Sequence, residues 1–133
     1  MDGVDQTLKF MKDSNNGLIF TNLVDFDAKY GHRRDVEGYK TEIEDFDARI
    51  PEILEYMNPN DILIITADHG NDPSFEGKDH TREMVPLLDY GDQLKQNINL
   101  GSRKTFADIA ATVADYFNVE NPGEGLSFLN LVN

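Results

Sequence analysis

The sequence has no cysteine and no tryptophan, only three histidines, and 12 basic residues against 25 acidic ones over 133 positions. Without cysteine there is no disulfide framework, and any metal site must be built from oxygen and imidazole ligands. No apolar run approaches the roughly 18–20 residues that cross a bilayer as a helix. Met1-Asp2-Gly3-Val4-Asp5 lacks the basic and apolar regions of a signal peptide. The expectation is a cytoplasmic protein with no membrane partner. A formal net charge of −13 argues against a nucleic-acid partner, because phosphate backbones are held by lysine and arginine. It also repels phosphorylated small molecules unless a bound divalent ion reverses the field locally. The length suits one domain with a modest core.

What the chain does have is chemistry concentrated in three stretches. The pure hydrocarbon run Ile62-Leu63-Ile64-Ile65 leads into Thr66-Ala67-Asp68-His69-Gly70-Asn71-Asp72. It reads as a buried parallel strand, 61–66, with acid and imidazole at its carboxyl end, where open α/β sheets bind ligands. Asp25-Phe26-Asp27-Ala28-Lys29-Tyr30-Gly31-His32 lies upstream and Lys78-Asp79-His80-Thr81-Arg82-Glu83 downstream. All three histidines fall in these stretches, each close to an aspartate.

The rest of the pattern predicts a helix over 2–14 with Asp2 as cap and Val4, Leu8 and Met11 on one face. Asn15-Asn16-Gly17 reads as a left-handed stop, and 18–24 as a mostly buried strand. Ile43, Phe46, Ile50, Ile53, Leu54 and Met57 form a helical stripe over 41–57, which Pro51 should kink or split. Strand, helix and strand make a βαβ unit with a right-handed crossover. A third strand is expected over 85–90, with Pro86 at its start or on an edge. Thr105 caps a helix over 106–117 that turns Phe106, Ile109, Ala110, Val113 and Phe117 inward, and 118–133 is loop with a last turn. Three buried strands and so few helices read as part of a larger α/β domain, since parallel sheets need both faces covered. An uncovered sheet predicts self-association.

Asp27 and His32, five residues apart across a turn at Gly31, can reach one ion, and His80 can join them. Two imidazoles and a carboxylate suit zinc, manganese or iron. Asp68 can serve a second ion, as in two-metal sites that clamp both oxygens of a transferred phosphoryl group. Ordinary hydrogen-bonded or solvated histidines are the alternative. Arg33, Arg34 and Arg82 are candidate phosphate contacts, with surface ion pairs as the alternative. Asp25 and Asp35 are candidates for orienting the imidazoles, and Asn71-Asp72-Pro73 reads as turn chemistry.

Thr-Ala-Asp-His-Gly-Asn-Asp, followed eleven residues after its histidine by Asp-His-Thr-Arg-Glu and then Val-Pro-Leu-Leu, resembles the phosphopentomutase family. So does Phe20-Thr21-Asn22-Leu23-Val24-Asp25-Phe26-Asp27 running into Tyr30-Gly31-His32-Arg33-Arg34-Asp35. That family belongs to the alkaline phosphatase superfamily of metalloenzymes. The resemblance implies part of a three-layer α/β/α core with a mostly parallel sheet, residues 1–133 being its C-terminal portion. It implies an isomerase of bacterial nucleoside salvage that interconverts ribose 1-phosphate and ribose 5-phosphate, and the deoxyribose pair, through a phosphothreonine. Two manganese ions are implied in the intact enzyme, one held by Asp27, His32 and His80 and the other by Asp68 and His69 with further ligands. The phosphoacceptor threonine, the N-terminal core part and the sugar-gripping cap are not matched here. This chain alone is therefore expected to hold one ion and to be inactive. Cofactor-independent phosphoglycerate mutase, which shares the Thr-Ala-Asp-His-Gly motif, is the alternative within the superfamily. A non-catalytic metal-binding module that assembles with a partner is the alternative of another class.

Overall fold

A computed structural model of the chain describes residues 2–13, 16–121 and 123–133. In order they form α1 (Asp2–Asp13), a π-helical turn (Phe26–Gly31), α2 (Val36–Tyr56), β1 (Leu63–Thr66), β2 (Leu87–Tyr90), α3 (Ala107–Tyr116) and α4 (Leu129–Val132). The chain divides into two compact units, Met1–Asp61 with Ile65–Leu88, and Ile62–Ile64 with Asp89–Asn133. No helix among the described residues is long and apolar enough to cross a membrane.

In the first unit α1 packs on α2, and α2 on the π-turn. The predicted face of α1 is the one that is buried, with Val4 and Leu8 inside and Met11 half-covered. Arg49 of α2 reaches across to Asp5 at 2.7 Å while also holding Glu52 at 2.6 Å, which pulls the Asp5 carboxyl below its ordinary pKa. Along α2 the stripe is covered at Phe46, Ile50, Ile53, Leu54 and Met57, whereas Ile43 is exposed. Phe46 and Tyr39 pack their rings edge-on against Phe26 of the π-turn, centroids 6.3 and 6.1 Å apart. The helix runs through Pro51 as one element instead of splitting there. Pro51 cannot donate to the Asp47 carbonyl, but both residues are exposed, so water can take the orphaned acceptor. The stop predicted at Asn15-Asn16-Gly17 begins outside the described residues, and Gly17 is not left-handed.

The sheet departs most from expectation. Among the described residues it has two strands, β1 and β2, and they run antiparallel. Thr66 Oγ1 donates to the Pro86 carbonyl at 2.8 Å, and four residues further on Gly70 lies against the backbone of Glu83. As one chain advances the other retreats. Pro86 sits just before β2, where its missing N–H does no harm. β1 is half-buried where full burial was expected. Residues 18–24 form no strand, so the βαβ unit does not appear among the described residues; Phe20 is 86% exposed and Leu18 63%. β-propensity measures fit to a pleated, half-covered surface, and this segment has no ladder partner to supply one.

In the second unit α3 packs on α4, and Ala111, Thr112, Ala114, Phe128 and Val132 are buried. Thr105 acts at the start of α3 as expected, its hydroxyl accepting from the Ala107 N–H at 3.2 Å. Phe106, expected inside, precedes the first helical residue and is 55% exposed, and Ala110 is exposed as well, the buried face of α3 being Asp108, Ala111, Thr112 and Ala114. The tail read as loop contributes the largest fully buried side chain, Phe128.

A buried carboxylate joins these pieces. Asp108 accepts from the Leu126 N–H at 2.9 Å and from Arg103 Nε at 2.7 Å, and the first of these bonds chiefly holds its carboxyl below the ordinary carboxylate pKa. A depressed folded pKa gives stability that is present above the unfolded value, near 3.8, and lost as pH falls through the lower folded value. Acid unfolding of α3 and α4, followed by circular dichroism, is therefore expected to steepen below about pH 4. Asp108→Asn should flatten that dependence and lower the melting temperature at pH 7. An unchanged acid profile in the variant would remove Asp108 from this role.

Candidate metal centre

The site lies within the first unit and is built by two loops. One is the π-turn, whose widened backbone ring is closed by the His32 N–H donating to the Asp27 carbonyl at 3.0 Å. On an α-helix side chains five apart diverge by about 140°. The π-turn brings Asp27 and His32 together, with His32 Nε2 3.2 Å from Asp27 Oδ2. Gly31 is required by the same packing, because a Cβ there would press on the Asn71 amide and lie 2.9 Å from Asp27 Oδ1. The second loop, 67–86, leaves β1 and returns to β2, delivering His69 and His80 to the same place.

His80 Nε2 lies 3.2 Å from Asp27 Oδ1 and 3.2 Å from His32 Nε2. The His69 and His80 rings stack at 3.8 Å, nearly parallel at 19°. Asp27, His69 and His80 each offer a ligand atom within 4.8 Å of the others. Asp68 stands at the edge, its carboxylate exposed and 3.8 Å from His69 Nε2. The two ligand groups expected from sequence thus form one continuous cluster, with His69 stacked directly on the ring of His80.

The backbone contacts of two of the imidazoles suit metal binding. His32 Nδ1 faces the Lys78 carbonyl at 3.2 Å and His69 Nδ1 the Gly70 carbonyl at 3.2 Å. A carbonyl only accepts, so the tautomer with the proton on Nδ1 satisfies both contacts, and in that tautomer each Nε2 has a lone pair for an ion. Donors held about 2.1 Å from one ion sit roughly 3.0–3.4 Å apart at octahedral and tetrahedral angles. The 3.2 Å separations among Asp27, His32 and His80 match that range. The residues present therefore fit a divalent ion.

The flanking residues have other tasks than those considered from sequence. Asp25 pairs with Lys29 at 2.6 Å, and Asp35 caps α2 by accepting from the Gly38 N–H at 2.9 Å. Arg33 and Arg82 are exposed, and among the described residues no hydrogen bond draws either into the cluster. Arg34 is committed to protein acceptors, with Nε donating to the Gly77 carbonyl at 2.8 Å and Nη1 to Asn71 Oδ1 and the Asp72 carbonyl at 2.9 Å each. Asp72 makes the expected turn, accepting from the Ser74 hydroxyl and N–H, which lowers its pKa. Asn71 was legible only as a turn residue, yet its Nδ2 donates to Asp27 Oδ1 at 3.4 Å. No local pattern signals a contact between residues 44 positions apart.

The family model described as Metalloenzyme superfamily matches residues 1–121. The phosphopentomutase of Clostridioides difficile is 62% identical over 128 residues, covering 96% of this chain and 33% of its own length. That of Alkaliphilus metalliredigens is 58% identical over 132 residues, 99% of this chain and 34% of its own. That of Thermotoga maritima is 54% identical over 132 residues, 98% and 34%. The chain spans about a third of the length of these curated relatives.

Proposed function

We propose, from the premise that this chain belongs to the Metalloenzyme superfamily, that it is the metal-carrying C-terminal third of a cytoplasmic phosphopentomutase. The parent protein interconverts ribose 1-phosphate and ribose 5-phosphate, and the deoxyribose pair. The observation that carries this reading is the meeting of two imidazoles at one carboxylate, His32 Nε2 with Asp27 Oδ2 and His80 Nε2 with Asp27 Oδ1 and with His32 Nε2, each at 3.2 Å. These three hold the first manganese ion, which this chain binds alone. Asp68 and His69 contribute to a second ion whose other ligands come from the rest of the longer protein, as do the phosphoryl-accepting threonine and the cap over the sugar. The full protein then has the three-layer α/β/α core of the alkaline phosphatase superfamily.

Bound ions supply positive charge against the phosphoryl oxygens and lower the pKa of the attacking hydroxyl. The chain's own residues do the positioning. Backbone carbonyls at Lys78 and Gly70 face Nδ1 of His32 and of His69 and favour the tautomers that leave Nε2 to an ion. Asp27 offers one oxygen to each of two imidazoles. With a formal charge of −13 on the chain, a phosphorylated substrate approaches only where such a centre offsets the acidic field.

The test is a chimaera in which this chain replaces the matching third of the Clostridioides difficile relative. It should bind manganese and interconvert the two ribose phosphates at a rate within tenfold of the parent. His32→Ala in the chimaera should lower turnover at least a hundredfold. A folded, manganese-loaded chimaera without mutase activity would overturn the reading.

A further inference from the structure

The geometry points to Arg34 as a positioning residue that clasps the 71–79 loop onto the π-turn and thereby aligns Asp27 and His80; this rests on the cluster being a metal centre. Among the described residues no hydrogen bond or ion pair joins the Arg34 guanidinium to the aspartates and histidines of the cluster. The guanidinium donates instead to four acceptors on the opposite loop: the carbonyls of Asp72, Gly77 and Asp79, and the side-chain oxygen of Asn71. Three of these are main-chain groups, so the fork ties down the course of the loop as well as one side chain. Asp79 immediately precedes His80.

The Asn71 contact has a second consequence. With Oδ1 occupied by Arg34, the amide must turn its Nδ2 toward the π-turn, where it donates to Asp27 Oδ1. The oxygen that receives this bond is also the one 3.2 Å from His80 Nε2. A chain of two hydrogen bonds thus runs from Arg34 through Asn71 to the cluster's shared carboxylate. An amide with its orientation reversed would set oxygen against oxygen at Asp27.

The backbone bears a cost for this arrangement. Arg34 has φ 56°, the left-handed region that residues with a Cβ rarely adopt. Such strain persists only where surrounding interactions over-determine it, and the four acceptors of the guanidinium supply that here. Lysine, a point donor on a flexible stem, cannot reproduce a planar fork to acceptors spread over Asn71–Asp79. The bland reading, an arginine engaged in a surface ion pair, does not describe a guanidinium bound to three carbonyls and an amide.

Arg34→Gly separates the guanidinium from the backbone, because glycine accepts the left-handed turn while the fork is lost. In the metal-stripped 133-residue chain, two readouts follow the change. Hydrogen exchange of the amides over 70–80 should accelerate at least tenfold, and calorimetric affinity for manganese should fall roughly 10- to 100-fold, with helical circular dichroism unchanged. Methylguanidinium at tens of millimolar should restore both in Arg34→Gly, and Arg34→Lys should restore neither. Wild-type exchange and affinity in Arg34→Gly would overturn the clasp, and wild-type behaviour in Arg34→Lys would show that charge alone suffices. If the unmodified chain binds no manganese, the metal-centre reading fails, and exchange over 70–80 still decides whether Arg34 holds the loop.

Discussion

Asp27→Ala is expected to weaken manganese binding at least a hundredfold, a loss of about 2.7 kcal/mol. Among the described residues Asp27 is the one carboxylate that meets two imidazoles, its Oδ2 lying 3.2 Å from His32 Nε2 and its Oδ1 3.2 Å from His80 Nε2. Truncation leaves two imidazoles with no anion to offset the ion's charge, and strands the Asn71 amide whose bond Asp27 accepts. Asp68→Ala gives the contrast. Its carboxylate is 81% exposed and stands 3.8 Å from its nearest imidazole nitrogen, so the first ion should bind with near-native affinity in that variant. Calorimetry on the metal-stripped chain measures both. An Asp27→Ala protein that binds manganese within threefold of the original would move the ion elsewhere in the cluster.

The second large effect is on stability. Phe128→Ala should destabilise the second unit by about 3–5 kcal/mol, the usual result of emptying a buried aromatic site. Phe128 is 1% exposed, its N–H donates to Thr112 Oγ1 at 3.0 Å, and Arg103 stands 5.5 Å from its ring. Besides Asp108, the buried residues of α3 are Ala111, Thr112 and Ala114, and such small side chains collapse poorly into the volume that a phenyl ring vacates. Total stability for a domain of this size is of order 5–15 kcal/mol, so this one substitution removes a large share. Urea unfolding monitored at α3 reads the change. A shift below 1 kcal/mol would mean that another side chain fills the site.

Several features could be read directly along the chain because they follow from spacing or residue type. Val4 and Leu8 recur at helical intervals and are buried. Ile62 to Ile65 precede an Asp-His-Gly turn, and β1 does end where that turn begins. The three histidines and Asp27 are the groups that meet. Phe106 and Phe128 show where this reading stops. Phe106 fits the periodicity of α3 but sits before its first residue, whereas Phe128 lies in a stretch with no periodicity and becomes the core of its unit.

By itself, the sequence determined which donors are available, which helices carry an apolar stripe, and that the acidic chain needs a cation to meet a phosphate. Tertiary structure alone decided the rest. It set β1 and β2 antiparallel, because strand direction is settled by the partner and not by the strand's own residues. It widened the Phe26–Gly31 turn so that positions five apart face one point. It also made Arg34 a clasp, whereas its residue type suggested a phosphate contact. The reason is the same in each case. Composition and spacing specify the chemistry of a side chain, but its acceptors lie 37 to 45 residues away for Arg34, and only folding brings them within a hydrogen bond.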